Sequence, residues 1–155
     1  CSTSPIAFEY LVAMSEDFRA TILATKLLGP FRCARAAAAT LKASRGAIVN
    51  TASVAGLGRR GSSVAYAASK AGLINLTRSL ARALAPDVRV NAVAPGLVAT
   101  PWTEPWSEAR KASTVERTML GRMARPEDIA ETIFFLAAGA AYITGETITV
   151  DGGAI

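Results

Sequence analysis

Histidine is absent from this chain. Its absence excludes Ser-His-Asp and Cys-His nucleophilic systems and removes the commonest nitrogen ligand of zinc, so no metal is expected. Acid–base chemistry near neutral pH must therefore use a group whose pKa its surroundings have moved. Cysteine is almost absent too. Cys1 and Cys33 stand alone at a spacing that matches no metal or redox motif, which speaks against a disulfide scaffold and for a reducing, cytoplasmic compartment. Acidic residues number only 12 against 17 Lys and Arg, a net charge of +5. The basic residues are scattered, however, and the densest patch is the pair Arg59-Arg60. A nucleic-acid face would cluster them among aromatics, so no nucleic-acid partner is expected, and the charge amounts to a modest pull on anionic groups. Long apolar runs are missing as well. The richest, Ile129 to Ile143, is interrupted by Glu131 and Gly139 and reads as a buried helix, so no membrane partner is expected. The chain starts at Cys1 with no signal-peptide pattern, and a fragment of a longer protein is the expectation.

What the chain does contain is alternation. Three short β-branched runs, Gly46 to Ala52, Asp87 to Val93 and Thr144 to Val150, are bounded by glycine, proline or polar residues and read as buried parallel strands. Helix-length segments separate them: about Glu16 to Lys42, opened by the cap-like "SED"; about Ser63 to Ala85, stopped by Pro86; and a third from Pro126, with Glu127 and Asp128 suited to a first turn. Strand–helix–strand order predicts a single α/β domain with a parallel sheet over residues 1–155. Between the second strand and third helix lies "APGLVATPWTEPWSEARKASTVERTMLGRMA", with both tryptophans in its first half. A connection this long reads as a lid or binding loop, the alternative being a surface excursion with Trp102 and Trp106 folded into the core.

In such a sheet, ligands bind beyond the carboxyl ends of the strands. Ser53 follows the first strand, "APG" leaves the second, and Thr100 comes shortly after. Tyr66 and Lys70 open the next helix from the same edge, and residues four apart rise about 6 Å along one face. Each has an ordinary reading alone: a turn serine, a packed tyrosine, a solvated lysine, a loop proline–glycine. Together they suit proton transfer to or from an alcohol or carbonyl. A cation beside a phenol favours the phenolate, and a shift of three pKa units corresponds to about 4 kcal/mol. Hydride transfer would then require a nicotinamide.

The motifs "IVNTASVAG", "YAASK", "RVNAVAPGLVAT", "GRMARPEDIA" and "ITGETITVDGG" occur in the order and spacing of the short-chain dehydrogenase/reductase family, which the chain resembles from about Glu16 onward. Ser53 stands thirteen residues before Tyr66, as that family's catalytic serine does. The resemblance implies a partial Rossmann-type three-layer fold and NAD or NADP as cofactor. It implies Tyr66 as general acid/base, Lys70 lowering its pKa and bonding the nicotinamide ribose, and Ser53 positioning the reacting oxygen. Pro95, Gly96, Val98 and Thr100 match the segment holding the nicotinamide end, and Trp102 and Trp106 fall where the substrate lid begins. The substrate implied is a small carbonyl or alcohol, and a homo-oligomer is expected.

Two departures qualify this. The family's tetrad asparagine is replaced: "ILATKLLGPF" offers Lys26 at the right distance from Gly29, while alignment from "SEDF" points to Thr25. The glycine-rich TGxxxGxG turn that admits the cofactor pyrophosphate is missing, and the first strand would be left as an unpaired edge. The alternative function is accordingly a catalytically incompetent remnant serving as an oligomerisation or interaction module. Arg59 and Arg60 could favour a substrate with an anionic end, or be a solvated loop pair. A lysine at 26 would set a second cation near Lys70 and interrupt proton relay. Restoring Lys26→Asn is expected to raise the turnover of the complete enzyme, and an unchanged rate would refute this account.

Overall fold

A computed structural model describes residues 8–59 and 62–154. Cys1 and Arg60, both singled out above, lie outside the described residues. The first helical stretch is one rod in three parts. Helix α1 (Phe8–Ala13) precedes α2 (Glu16–Leu23), a wide turn with bonds five residues apart (Ala24–Leu28), and α3 (Gly29–Ser44). Ser15 caps α2, its Oγ accepting from Phe18 N at 3.2 Å. The wide turn has a sequence cause. Pro30 has no N–H to give the Lys26 carbonyl four residues earlier and would crowd it in a regular helix, and the broadened turn relieves both problems.

Strand β1 (Ala47–Thr51), a short 3-10 turn (Val54–Leu57), α4 (Val64–Leu84) and β2 (Arg89–Pro95) follow. After α5 (Glu108–Val115) come α6 (Pro126–Phe134), a second wide turn (Phe135–Gly139) and β3 (Thr147–Val150). The sheet is parallel in the order β1-β2-β3, with Ala47 opposite Arg89 and Ala92 opposite Thr147. Strand β2 is central and buried through Pro95 from Val90. Its side chains alternate between two helical layers. Val90 packs with Ala81, Leu84 and Val88, with Ile48 and Leu41 beside them. Val93 packs on the other face with Ile129 and Leu136, joined by Val49 and Val150. This is the expected three-layer α/β arrangement with a parallel sheet.

Observed bounds differ from the expected ones for local reasons. The second strand begins at Arg89 rather than Asp87 because Val88 N still bonds Leu84 O at 3.1 Å, closing the end of α4. The third begins at Thr147 because the residues before it serve β2: Gly145 N bonds Val90 O at 2.7 Å, and Thr144 Oγ1 accepts from Val90 N at 3.1 Å. Helix α5 lies inside the long connection, where no element was expected. Its signature is legible in retrospect, since Ser107 caps it through Arg110 N at 3.3 Å and Glu108 opens its first turn. No helix among the described residues is long and apolar enough to cross a membrane.

Asn91 is the polar anchor of the sheet. It is fully buried on β2, donates through Nδ2 to Ile143 O at 2.8 Å and accepts from Glu146 N at 3.0 Å. Asn91→Ala removes both bonds and strands two backbone groups, which is expected to cost about 3 kcal/mol. A lowered urea midpoint with unchanged slope would show it, and a loss under about 0.5 kcal/mol would refute the assignment.

Candidate active site

Strands β1 and β2 both end at one rim, and α4 starts there. Ser63 caps α4 by accepting from Tyr66 N at 3.1 Å, which fixes where the helix begins and so where Tyr66 sits. One turn on, Lys70 is 8% exposed, and its Nζ donates to the Thr51 carbonyl at the end of β1 at 2.6 Å. The same ammonium lies 5.7 Å from the centroid of the Tyr66 ring. Ser53, two residues beyond Thr51, is the cap of the 3-10 turn, its Oγ accepting from Ala55 N at 3.2 Å. That turn rests directly on α4. A Cβ on Gly56 would come within 2.6 Å of the Lys70 backbone carbon, so only glycine allows the contact. Ser53, Tyr66 and Lys70 are thus gathered at one rim by a helix cap, a buried ammonium and a glycine contact.

The segment leaving β2 completes that rim. Gly96 N bonds Val150 O at 3.0 Å, and a Cβ on Gly96 would sit 2.8 Å from the Asp151 Cβ, a second contact that requires glycine. Pro95 is buried at the end of β2. Val98 packs with the cluster under α6, and its neighbour Ala99 N bonds Ala124 O at 2.8 Å. Thr100 is held by a residue that the sequence reading missed. Thr103, 3% exposed, accepts from Thr100 N at 3.0 Å, and its hydroxyl lies 2.8 Å from Thr100 O and 3.2 Å from Val98 O. The tryptophans are not folded into the core. Trp102 is 58% exposed and meets half-buried Trp106 edge-on with ring centroids 5.3 Å apart. The Arg110 guanidinium caps Trp106 at 3.4 Å from its centroid. Arg59 is exposed but engaged within the chain: it pairs with Asp151 and donates to Ala154 O at 2.7 Å.

Lys26 sits in the wide turn, exposed at the mouth of an open slot of about 580 Å³. The slot runs along the outer edge of β1 and is lined also by Thr25, Cys33, Ala34, Asn50 and Lys70. Strand β1 has no strand partner on that edge among the described residues. Burial, and then the positive charge of Lys26, push the Lys70 amine down from the ordinary 10.5 to about 8.

Comparison with known proteins assigns this arrangement to a family. A family model described as Enoyl-(Acyl carrier protein) reductase matches residues 4–154. The short-chain dehydrogenase/reductase homolog YusR of Bacillus subtilis is 45% identical over 128 residues, covering 81% of this chain and 96% of that protein. The chain belongs to the short-chain dehydrogenase/reductase family. Within it, the 3-oxoacyl-[acyl-carrier-protein] reductase FabG of Thermotoga maritima is 39% identical over 148 residues, 94% of this chain and 60% of the relative. A solved 3-oxoacyl-[acyl-carrier protein] reductase with bound NAD from Brucella melitensis superposes with a TM-score of 0.84 at 34% identity, covering 93% of this chain and 54% of that one. This short-chain dehydrogenase/reductase chain therefore spans about 60% of the length of such longer relatives.

The lowered Lys70 pKa has a stability consequence. Above about pH 8 the folded chain has released a proton that the unfolded chain keeps until about 10.5. Unfolding takes up that proton, so stability contributed by this group rises with pH across the window, and below it the cost of the buried charge is present in full. Urea unfolding at about pH 7.5 and about pH 10 should show the rise. Lys70→Met should abolish the Lys70 share and Lys26→Asn should shrink it. An unchanged pH difference in Lys70→Met would refute the assignment.

Proposed function

We propose that the chain carries the proton-transfer and nicotinamide-end part of an NAD(P)-linked oxidoreductase acting on a secondary alcohol or ketone, with Tyr66 as general acid/base. The observation that supports this best is the Lys70 ammonium, buried at the rim against the Tyr66 ring and held by Thr51 O beneath the Ser53 turn. A buried cation is costly and is retained where charge is used.

The residues present fit the nicotinamide end of the cofactor. Lys70 Nζ spends one of its three N–H groups on Thr51 O, and among the described residues no protein acceptor takes the other two, which suits ribose hydroxyls. Pro95, Gly96, Val98 and Thr100 supply the neighbouring backbone, with Val98 contributing main chain because its side chain belongs to the core. When bound, a nicotinamide would supply or accept the hydride. In reduction, Tyr66 Oη gives a proton to the carbonyl oxygen while Ser53 Oγ donates a hydrogen bond to it, and in oxidation the proton returns to Tyr66. Lys70 places positive charge beside the phenol oxygen as it gives up that proton. Trp102 and Trp106 form the apolar wall of the substrate side. The domain is single, and two subunits associate through their helical faces. The pyrophosphate half has no glycine-rich turn in this sequence, and the cofactor is NAD or NADP.

A second reading, the incompetent remnant acting as an association module, is favoured by the open β1 edge. One experiment separates the two. A thermal-unfolding scan with excess NADH or NADPH should show stabilisation of about 2.7 kcal/mol at a hundredfold the dissociation constant, several degrees at this size. Tyr66→Phe should keep that shift and abolish NAD(P)H-dependent reduction of acetoacetyl-CoA, a probe suggested by the 3-oxoacyl substrate in a relative's name. No shift with either nucleotide on a cooperatively folding chain would overturn the oxidoreductase reading in favour of the remnant.

A further inference from the structure

Asp151 lies where three segments meet. It directly follows β3, and its side chain is 8% exposed although it carries a charge. One carboxylate oxygen accepts from Arg59 and the other from Gly153 N at 3.0 Å. Its Cα and Cβ fill the place that a side chain at Gly96 would need, with contacts of 3.0 and 2.8 Å. The backbone after Asp151 then reaches the far end of the tryptophan-bearing connection. Leu120 N bonds Gly152 O at 3.1 Å, Met119 N bonds Gly153 O at 3.4 Å, and Thr118 pairs with Ala154. Arg59 is part of the Ser53 turn, because its own N–H bonds Val54 O at 3.2 Å. The guanidinium that reaches Asp151 also bonds Ala154 O.

We propose that Asp151 is a positioning residue which, through Arg59, clasps the Ser53 turn and the Pro95–Gly96 exit to the far end of the Trp102–Trp106 connection. The proposal rests on the reading of this rim as the reacting site. The physical argument has two parts. First, the Ser53 turn is pinned at one end by the Gly56 contact with α4, and Arg59 supplies the second point, so residues 53–59 cannot pivot on α4. Second, the Asp151 carboxylate is desolvated, and without Arg59 its remaining donor among the described residues is Gly153 N. A buried anion left with one neutral donor draws in water or swings outward. Either movement disturbs Gly96, which touches Asp151, and the 152–154 turn, which holds residues 118–120. A change at Arg59 therefore reaches Leu120, which Arg59 does not hydrogen-bond.

Amide hydrogen exchange on the purified chain tests this without turnover. In Arg59→Ala, exchange at Gly58 and at Leu120 is expected to quicken about fivefold while amides of β2 keep their rates. Asp151→Asn is expected to reproduce the pattern, the double variant to be no worse than either single one, and Arg59→Lys to recover part of the protection. A Leu120 amide indifferent to Arg59→Ala would overturn the clasp. So would singles that add in the double variant, or equal acceleration throughout β2, which would mark a general stabiliser. In NAD(P)H-dependent reduction of acetoacetyl-CoA, Arg59→Ala is expected to lower kcat several-fold with a smaller change in KM, and Arg59→Lys to restore it. Exchange reads the clasp and nucleotide-induced stabilisation reads the function, so the two can fail separately.

Discussion

A lysine ammonium held out of water by one strand-end carbonyl is the constraint on which the site depends. Lys70 bonds Thr51 O, and two helical turns further along α4 the Thr77 hydroxyl accepts from buried Asn50 on the same strand. Both α4 residues belong to one face, with Leu73, Ile74, Ala81 and Leu84 completing it. Apolar packing alone would let a helix rotate or slide at little cost. Two polar bonds to adjacent strand residues admit one rotation and one register. Tyr66, four residues before Lys70, is therefore delivered to the sheet rim by bonds made elsewhere.

The rim is then stiffened from outside the helix. Gly56 lets the Ser53 turn touch the α4 backbone, and Gly96 lets the β2 exit touch Asp151. Both contacts are too close for any side chain, so in these two places the glycine itself determines how near the loops approach. Thr103 does the same task for Thr100 by hydrogen bonding instead of contact, since its buried hydroxyl engages Thr100 N and faces two carbonyls. The side proposed to meet substrate is more exposed. Trp102 is more than half exposed and meets Trp106 edge-on, and the Arg110 guanidinium lies over the Trp106 ring. A stiff rim beside a more exposed aromatic pair is the division that the proposed function calls for, with a fixed proton path and an entry for the bound molecule.

Much of this was legible because the sequence repeats its instructions at several levels. The strands are β-branched runs between breakers, the α4 start carries a serine cap, and Pro126 opens α6. Tyr66, Lys70, Ser53, Pro95 and Gly96 could be placed at one edge because Ser53, Pro95 and Gly96 sit at or just beyond strand ends and Tyr66 and Lys70 fall in the first two turns of α4. The missed features share a different origin. Thr51 contributes a backbone carbonyl, which no side-chain pattern announces. Arg59 and Asp151 are 92 residues apart, and only the closed fold brings them together. Helix α5 was obscured by the prolines around it, although Ser107 and Glu108 carry a helix start. The wide turn at Ala24–Leu28 could have been anticipated from Pro30, whose missing N–H falls four residues after Lys26.

The open edge of β1 and the charge of Lys70 cannot be considered apart. One slot contains both: it runs along Ala47–Thr51, is lined by Lys26 and Lys70, and has no carboxylate among its lining residues. A strand laid against that edge would satisfy the free backbone groups of β1 and add apolar contact with Ala34, Ala37 and Leu41. The same strand would remove water from two cations, and desolvation already dominates the depression of Lys70. An apolar occupant would thus gain sheet stability while driving the proton from the lysine that sits beside Tyr66. An occupant presenting a carboxylate or amide oxygen at the Lys26 end would gain the sheet without that loss. With Lys26 and Lys70 sharing one slot, the charge state of Lys70 depends on the polarity of whatever covers the edge.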